Sequence, residues 1–342
     1  MKLKRYENNP ILCPIESSSW ESRCVLNPAV VYDEKTKKFV MVYRAAGDDK
    51  RHEICMGLAT SDAGVHFTRE SDTPVFAPNR YEADGGCVED PRIVKIGDGY
   101  YMTYAARTYA PGQYWLDLEN LSPCYTDETD VIADELPAFA KKNTTVSYLA
   151  LTKDFKKYKR LGRITETTVD DRDVLLFPEK VNGKYVLVRR PKYKTDLVKM
   201  PSVWIAFGDD LLEYGKAELL FTGKEWWETA RIGAGCPPIK TDKGWFMLYH
   251  GVDDKGVYRV GAVLMDLNDP KKILARTKDF LLEPETSYEK EGLYNGCVFP
   301  TGNVVKDGIL YVYYGCADKY VSLATANFQE LIDYLWTECR ED

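Results

Sequence analysis

The sequence predicts an all-β fold, a five-bladed β-propeller with a short C-terminal helix, and three observations carry that expectation. One pattern of aromatic and β-branched residues returns five times along the 342-residue chain. Upstream of each copy lies a strand opened by a residue–proline step, and downstream a third strand rich in small residues. A two-sheet sandwich has no reason to return the same order of elements five times, whereas radial repetition of a small antiparallel sheet does.

The copies run as follows. Asn27-Pro28 precedes "KFVMVYR" (38–44) and "CMGLATS"; Asp90-Pro91 precedes "GYYMTYA" (99–105) and "VSYLALT"; Phe177-Pro178 precedes "KYVLVRR" (184–190) and "VWIAFG". Cys236-Pro237 then leads into "GWFMLYH" (244–250) and "RVGAVLM", and Phe299-Pro300 into "ILYVYYG" (309–315) and "VSLATA". The signals "GDG", "NG", "DKG" and "DG" before the later hairpin strands suit tight turns. Asp-Pro starts turns, and the residue before proline is biased toward extended backbone. A single domain over 1–342 is expected, with an insertion in the second blade at about 107–145 that carries Tyr109, Tyr114 and Trp115. A helix at about 328–339, "FQELIDYLWTEC", places Leu331, Ile332 and Leu335 on one face.

Composition narrows the function. A net charge of −7 argues against a general nucleic-acid or membrane-surface binder, which needs a broad basic face. No apolar run has the length of a signal peptide or a membrane span, so a cytoplasmic location is expected. Nine scattered cysteines without a C-x-x-C pair fit neither a disulfide framework nor a zinc site. Three histidines, His52, His66 and His250, make a histidine-built metal centre improbable, and no metal or cofactor is expected.

Aligning the five hairpin strands puts Arg44, Ala105, Arg190, His250 and Gly315 at one equivalent position, at the end of the second strand. In a propeller such positions surround one axis. Arginine supplies planar paired donors and histidine another, so a converging set of them in an acidic protein suits an anion such as phosphate. Asp90, with Glu89 and Arg92 beside it, is brought toward the same axis. Asn27, Asp48, Asp253 and Asp318 are further candidates to contact a bound ligand, although aspartate after a strand is commonly a turn residue.

The segments "NPAVVYD", "MVYRAAGDD", "VEDPRIVKI", "LLFPEKVNGKYVLVRRP", "GAGCPPIKT", "GCVFPTGNVV" and "YYGCADKYVSLATANFQELIDYL" resemble glycoside hydrolase family 130, the β-mannoside phosphorylases and related mannosidases. The resemblance runs nearly end to end. It implies a five-bladed propeller and inverting phosphorolysis of short β-1,4-linked mannosides to α-mannose 1-phosphate. The leaving group would be mannose, glucose or N-acetylglucosamine, and inorganic phosphate the co-substrate. It further implies Asp90 as catalytic acid, acting through the sugar's C3 hydroxyl, and Arg44, Arg172, Lys180 and Arg190 as phosphate ligands with His250 close by. Many relatives carry histidine where this chain has Arg189. Phosphate is already a nucleophile, so one acid and a cationic cradle suffice where an ordinary inverting glycosidase needs two carboxyl groups. A β-mannosidase using water and a non-catalytic sugar-binding propeller are the competing readings. An oligosaccharide and phosphate are the expected partners, and self-association into a homo-oligomer is compatible with the sequence.

Overall fold

All five predicted hairpins form, and each is the middle of an antiparallel unit. The structure is a computed structural model and describes residues 1–80, 82–112, 143–193 and 198–341. The first unit contains β2 (Cys24–Asp33), β3 (Lys38–Ala46), β4 (Ile54–Ser61) and β5 (Thr68–Arg69). The second contains β6 (Cys87–Ile96), β7 (Gly99–Arg107), β8 (Val146–Thr152) and β9 (Tyr158–Arg163). A parallel bridge between Ile54 and Cys87 joins these two into one sheet.

The third unit is β10 (Asp171–Leu176), β11 (Tyr185–Pro191), β12 (Val203–Gly208) and β13 (Glu218–Phe221). In the fourth, β14 (Arg231–Ala234) and β15 (Ile239–Lys240) both pair with β16 (Trp245–Val252), followed by β17 (Tyr258–Met265) and β18 (Ile273–Arg276). The fifth is β19 (Val298–Lys306), β20 (Ile309–Cys316) and β21 (Tyr320–Asn327), and its outer strand is β1 (Lys4–Arg5) from the other end of the chain. First strands touch in the order β2, β6, β10, β14, while β19 touches both β16 and β2.

Two helices complete the fold. A single turn, α1, covers Ser287–Lys290. The C-terminal helix α2 covers Phe328–Glu338, in the place the sequence predicts. Asn327 caps it by accepting a hydrogen bond from the Glu330 backbone N–H at 3.1 Å. Leu331, Ile332 and Leu335 are buried against the apolar cluster that the fourth and fifth units share. Of the second-unit insertion, Tyr109 is buried, and its backbone is held at both N–H and C=O by the Asn143 amide. Tyr114 and Trp115 lie outside the described residues. No helix among the described residues is long and apolar enough to cross a membrane.

The repeat extends to a buried polar clamp. One residue before the Arg44, Ala105, His250 and Gly315 column stand Tyr43, Tyr104, Tyr249 and Tyr314, all buried. Each hydroxyl donates to a carboxylate from the segment leading into its unit: Glu21 at 2.9 Å, Asp84 at 3.1 Å, Glu228 at 2.6 Å and Glu289 at 2.8 Å. Each carboxylate also accepts from an arginine on the outer strand, namely Arg69, Arg160, Arg276 and Arg5. Because Arg5 lies on β1, the N-terminal strand completes the clamp of the last unit.

The third unit has Arg189 in the tyrosine column, paired with Asp171 and Glu166. Buried charges need such partners, and removing one hydroxyl leaves the others less satisfied. Tyr249→Phe is expected to cost about 1–3 kcal/mol of stability, read from the denaturant midpoint. An unchanged midpoint would mean that the clamp contributes nothing.

Candidate active site

The register places the predicted column as expected. Leu26 pairs with Arg44, Glu89 with Ala105, Arg172 with Arg190, Gly233 with His250 and Phe299 with Gly315. Just past these pairs the ladder slips in the first three units, between Leu26 and Ala29, Glu89 and Arg92, and Arg172 and Leu175. Extra residues at a bulge bend the strand and re-aim a side chain.

The residues so re-aimed are Asn27, Asp90 and Asp173, with φ of 44°, 54° and 53°. This corrects the expectation that Asn27 and Asp90 would be extended before their prolines. Left-handed backbone is costly outside glycine, least so for Asn and Asp, and it persists where the surroundings impose it. In the third unit Asp173 takes this place, so Phe177-Pro178, at the other end of β10, is not equivalent to the other steps.

These side chains line one cavity of about 120 Å³. Asn27, Arg44, Asp90 and Asp318 line it together with Arg172, Asp173, Arg190 and His250, and Tyr258, Tyr294, Cys297 and Phe299 complete the lining. Close approach explains two glycines. A Cβ on Gly315 would stand 2.0 Å from Asn27 Oδ1, and one on Gly233 would stand 2.2 Å from Asp173 Oδ2.

Asp90 Oδ1 accepts from Asn27 Nδ2 at 2.8 Å and from Arg44 Nη1 at 3.0 Å. Burial pushes its carboxyl up, but the Arg44 and Arg92 guanidiniums and the Asn27 bond outweigh burial and hold it below the usual carboxylate range. Arg44 Nη1 also lies 3.0 Å from Glu89, so Arg44 is pinned between two carboxylates. Arg172 reaches Asp170 at 3.0 Å and Thr145 at 3.0 Å.

Asp173 is a second hub of the lining. Its oxygens meet Arg190, Arg92 at 3.4 Å and His250 Nε2 at 3.6 Å. Burial works against its charge, and the Arg190 and Arg92 guanidiniums more than compensate, so it is held ionised. Burial lowers His250 to about 3; Asp173 opposes that shift, while Arg190, Arg231 and Arg92 reinforce it. The imidazole is therefore neutral at neutral pH. Its Nδ1 is buried without a hydrogen-bond partner among the described residues. In a polar cavity such an atom is suited to a ligand.

Several expected residues are elsewhere. Lys180 is exposed beyond the outer end of β10, with its ammonium 4.3 Å from the Tyr185 ring, so it does not join the arginines. Asp253 is a turn carboxylate, accepting from the Lys255 and Val257 backbone and from Arg259 at 2.8 Å. Asp48 is exposed on the rim, 3.9 Å from Arg23. Glu89 and Arg92 are buried behind the cavity wall; Arg92 donates to the carbonyls of Gly235 and Asp90 and fixes the bulge. Arg189 faces away from the cavity, because neighbouring strand residues alternate in direction.

Sequence reasoning missed Asp173 and the wall of Tyr258, Tyr294, Cys297 and Phe299. The run "DDRD" was the available signal for Asp173. Among the described residues no cluster of His, Cys, Asp and Glu is arranged to hold a metal ion.

Comparison with known proteins places the chain in a family. The family model described as β-1,4-mannooligosaccharide phosphorylase, of glycoside hydrolase family 130, matches residues 2–119 and 138–337. A 1,2-β-oligomannan phosphorylase of Thermoanaerobacter sp. is 37% identical over 97% of this chain and 99% of its own length. A β-1,4-mannooligosaccharide phosphorylase of Ruminococcus albus is 28% identical over 97% of this chain and 90% of its own. The solved β-1,2-mannobiose phosphorylase of Listeria innocua, in complex with β-1,2-mannobiose, superposes with a TM-score of 0.79 at 26% identity, covering 99% of this chain and 100% of that one.

Proposed function

The chain belongs to glycoside hydrolase family 130, the β-mannoside phosphorylases, and on that footing we propose that it cleaves the terminal residue of a β-mannoside with inorganic phosphate to give α-mannose 1-phosphate. The observation that carries this reading is one cavity whose lining gathers Asp90 with Arg172, Arg190 and a neutral His250. Arg172 and Arg190 hold the phosphate, with the His250 ring as a further contact. Phosphate attacks the anomeric carbon from the face opposite the leaving oxygen, which inverts the configuration. Asp90 supplies the proton, along the route through the C3 hydroxyl that the family resemblance implies. Asn27 and Arg44 fix Oδ1, which leaves Oδ2 to meet the sugar. The five units act as one domain, a five-bladed propeller; the succession of contacts β2, β6, β10, β14, with β19 against both β16 and β2, and the clamp completed by Arg5 support that reading.

A β-1,2 linkage is the finer reading. The Thermoanaerobacter relative is 37% identical, whereas the β-1,4-acting Ruminococcus relative is 28% identical. The expected β-1,4 specificity becomes the alternative. The test supplies β-1,2- and β-1,4-mannobiose, each with and without phosphate, and follows mannose 1-phosphate. Product should form from the β-1,2 disaccharide only when phosphate is present. Preference for the β-1,4 disaccharide would reverse the linkage, and free mannose released without phosphate would make the protein a mannosidase.

A further inference from the structure

We propose that a second cavity on the rim, lined by Arg23, Tyr288, Glu291, Lys319 and Tyr320, is a saccharide subsite for the units of a β-mannoside beyond the first two. The inference rests on the reading of the central cavity as the site of mannoside cleavage, and it names the substrate class as chains longer than a disaccharide.

Shared backbone connects the two sites. Asp318 lines the central cavity and Lys319 the rim cavity; Tyr294 lines the central cavity and Leu293 the rim. These two segments are tied together by the Tyr294 N–H, which donates to Ala317 O at 3.2 Å, and Lys319 O accepts from the Val25 N–H of β2 at 3.1 Å. At both segments residues adjacent in sequence line the two cavities.

Size points the same way. At about 120 Å³ the central cavity is small, below the roughly 300 Å³ at which small-molecule sites begin. The rim cavity, about 430 Å³, falls within the usual range.

The lining chemistry selects a neutral polyhydroxyl ligand. Tyr288 and Tyr320 are half-buried and pack on the core beneath, which fixes their orientation. The Lys319 ammonium lies 5.2 Å from the Tyr320 ring. Arg23 and Lys319 offer donors and Glu291 offers acceptors, and Asp48 sits 3.9 Å from Arg23. Two cations set against two carboxylates leave little field for an anion, so a second phosphate site is disfavoured. Aromatic surface with a few polar groups around it suits the apolar faces and hydroxyls of a sugar.

The experiment measures binding of β-1,2-mannobiose and β-1,2-mannotetraose by calorimetry without phosphate, in the wild type and in Lys319→Ala, Glu291→Ala and Tyr320→Ala, with melting curves to confirm folding. The wild type should bind the tetraose more tightly. Each variant should weaken the tetraose about tenfold, equivalent to about 1.4 kcal/mol, and leave the disaccharide unchanged. Equal affinity for both ligands in the wild type, equal loss for both in the variants, or no loss would overturn the proposal. Lys319→Ala and Glu291→Ala keep it testable should Tyr320→Ala fail to fold. Absence of mannose 1-phosphate from either ligand when phosphate is added would sink the phosphorylase reading alone, because the binding difference is read without phosphate.

Discussion

Asp90→Asn should lose at least about a hundredfold in turnover, the usual worth of a positioned acid, while the melting temperature stays close to wild type. The amide keeps the shape of the carboxyl and can still accept from Asn27 and Arg44 through its oxygen, so the bulge at φ 54° has no reason to collapse. It cannot supply an acidic proton. A folded variant with near-normal rate would remove Asp90 from the mechanism.

The same residue sets a pH profile. Arg44, Arg92 and Asn27 overcome the effect of burial and hold Asp90 below its usual range, so in the free protein it is a carboxylate at neutral pH. Protonated Asp90 with the phosphate dianion has the same proton count as the carboxylate with the monoanion, so the pair titrates as a unit. The value of kcat/KM should therefore be level through mildly acidic pH and fall as free phosphate becomes the dianion near neutrality. His250, lowered to about 3, should add no limb between. A rate that climbs steadily into alkaline pH would contradict a proton delivered from this pair.

What the sequence disclosed depended on which signals repeat. The column Arg44, Ala105, Arg190, His250 and Gly315 was legible because all five hairpin strands share one register, and the cross-strand pairs reproduce it. Asp90 was visible because a proline follows it. Asp173 does the corresponding job without a proline, while the nearest one, Pro178, drew attention to the wrong end of β10. Lys180 rested on the family resemblance alone, and four residues past Leu176 the chain has already run to the hairpin end away from the arginines.

The tyrosine of the clamp stood in the aligned hairpins at 43, 104, 249 and 314. Three of its carboxylates, Glu21, Asp84 and Glu228, each sit three residues ahead of the first strand of their unit, a spacing the hairpin alignment did not sample, whereas Glu289 lies nine residues ahead of β19. Tyr258 and Tyr294 reach the cavity from the start of a third strand and from a link between units. A comparison of second strands does not sample those positions.

Arg172→Ala provides the sharpest test of the cationic side. Unlike Arg44, whose Nη1 is held by both Glu89 and Asp90, Arg172 lines the cavity with its described side-chain bonds on Asp170 and Thr145, neither of which lines the cavity. Burial opposes its charge, but Asp170, Glu89 and Asp90 outweigh that and keep it a cation at every accessible pH. A lost charge-assisted bond to an oxyanion is worth roughly 1.5–3 kcal/mol, so KM for phosphate should rise about tenfold to a hundredfold with a much smaller change in KM for the mannoside.

Arg44→Ala should behave differently. It leaves Asp90 Oδ1 with the Asn27 bond alone and removes the largest influence holding that carboxyl down, so it should act on kcat and on the pH profile more than on phosphate affinity. Equal weakening of phosphate and mannoside in Arg172→Ala would place the anion elsewhere. A phosphate-selective defect in Arg44→Ala would show that Arg44 turns from Asp90 to the phosphate when it binds, in which case the acid is released to protonate at the moment its nucleophile arrives.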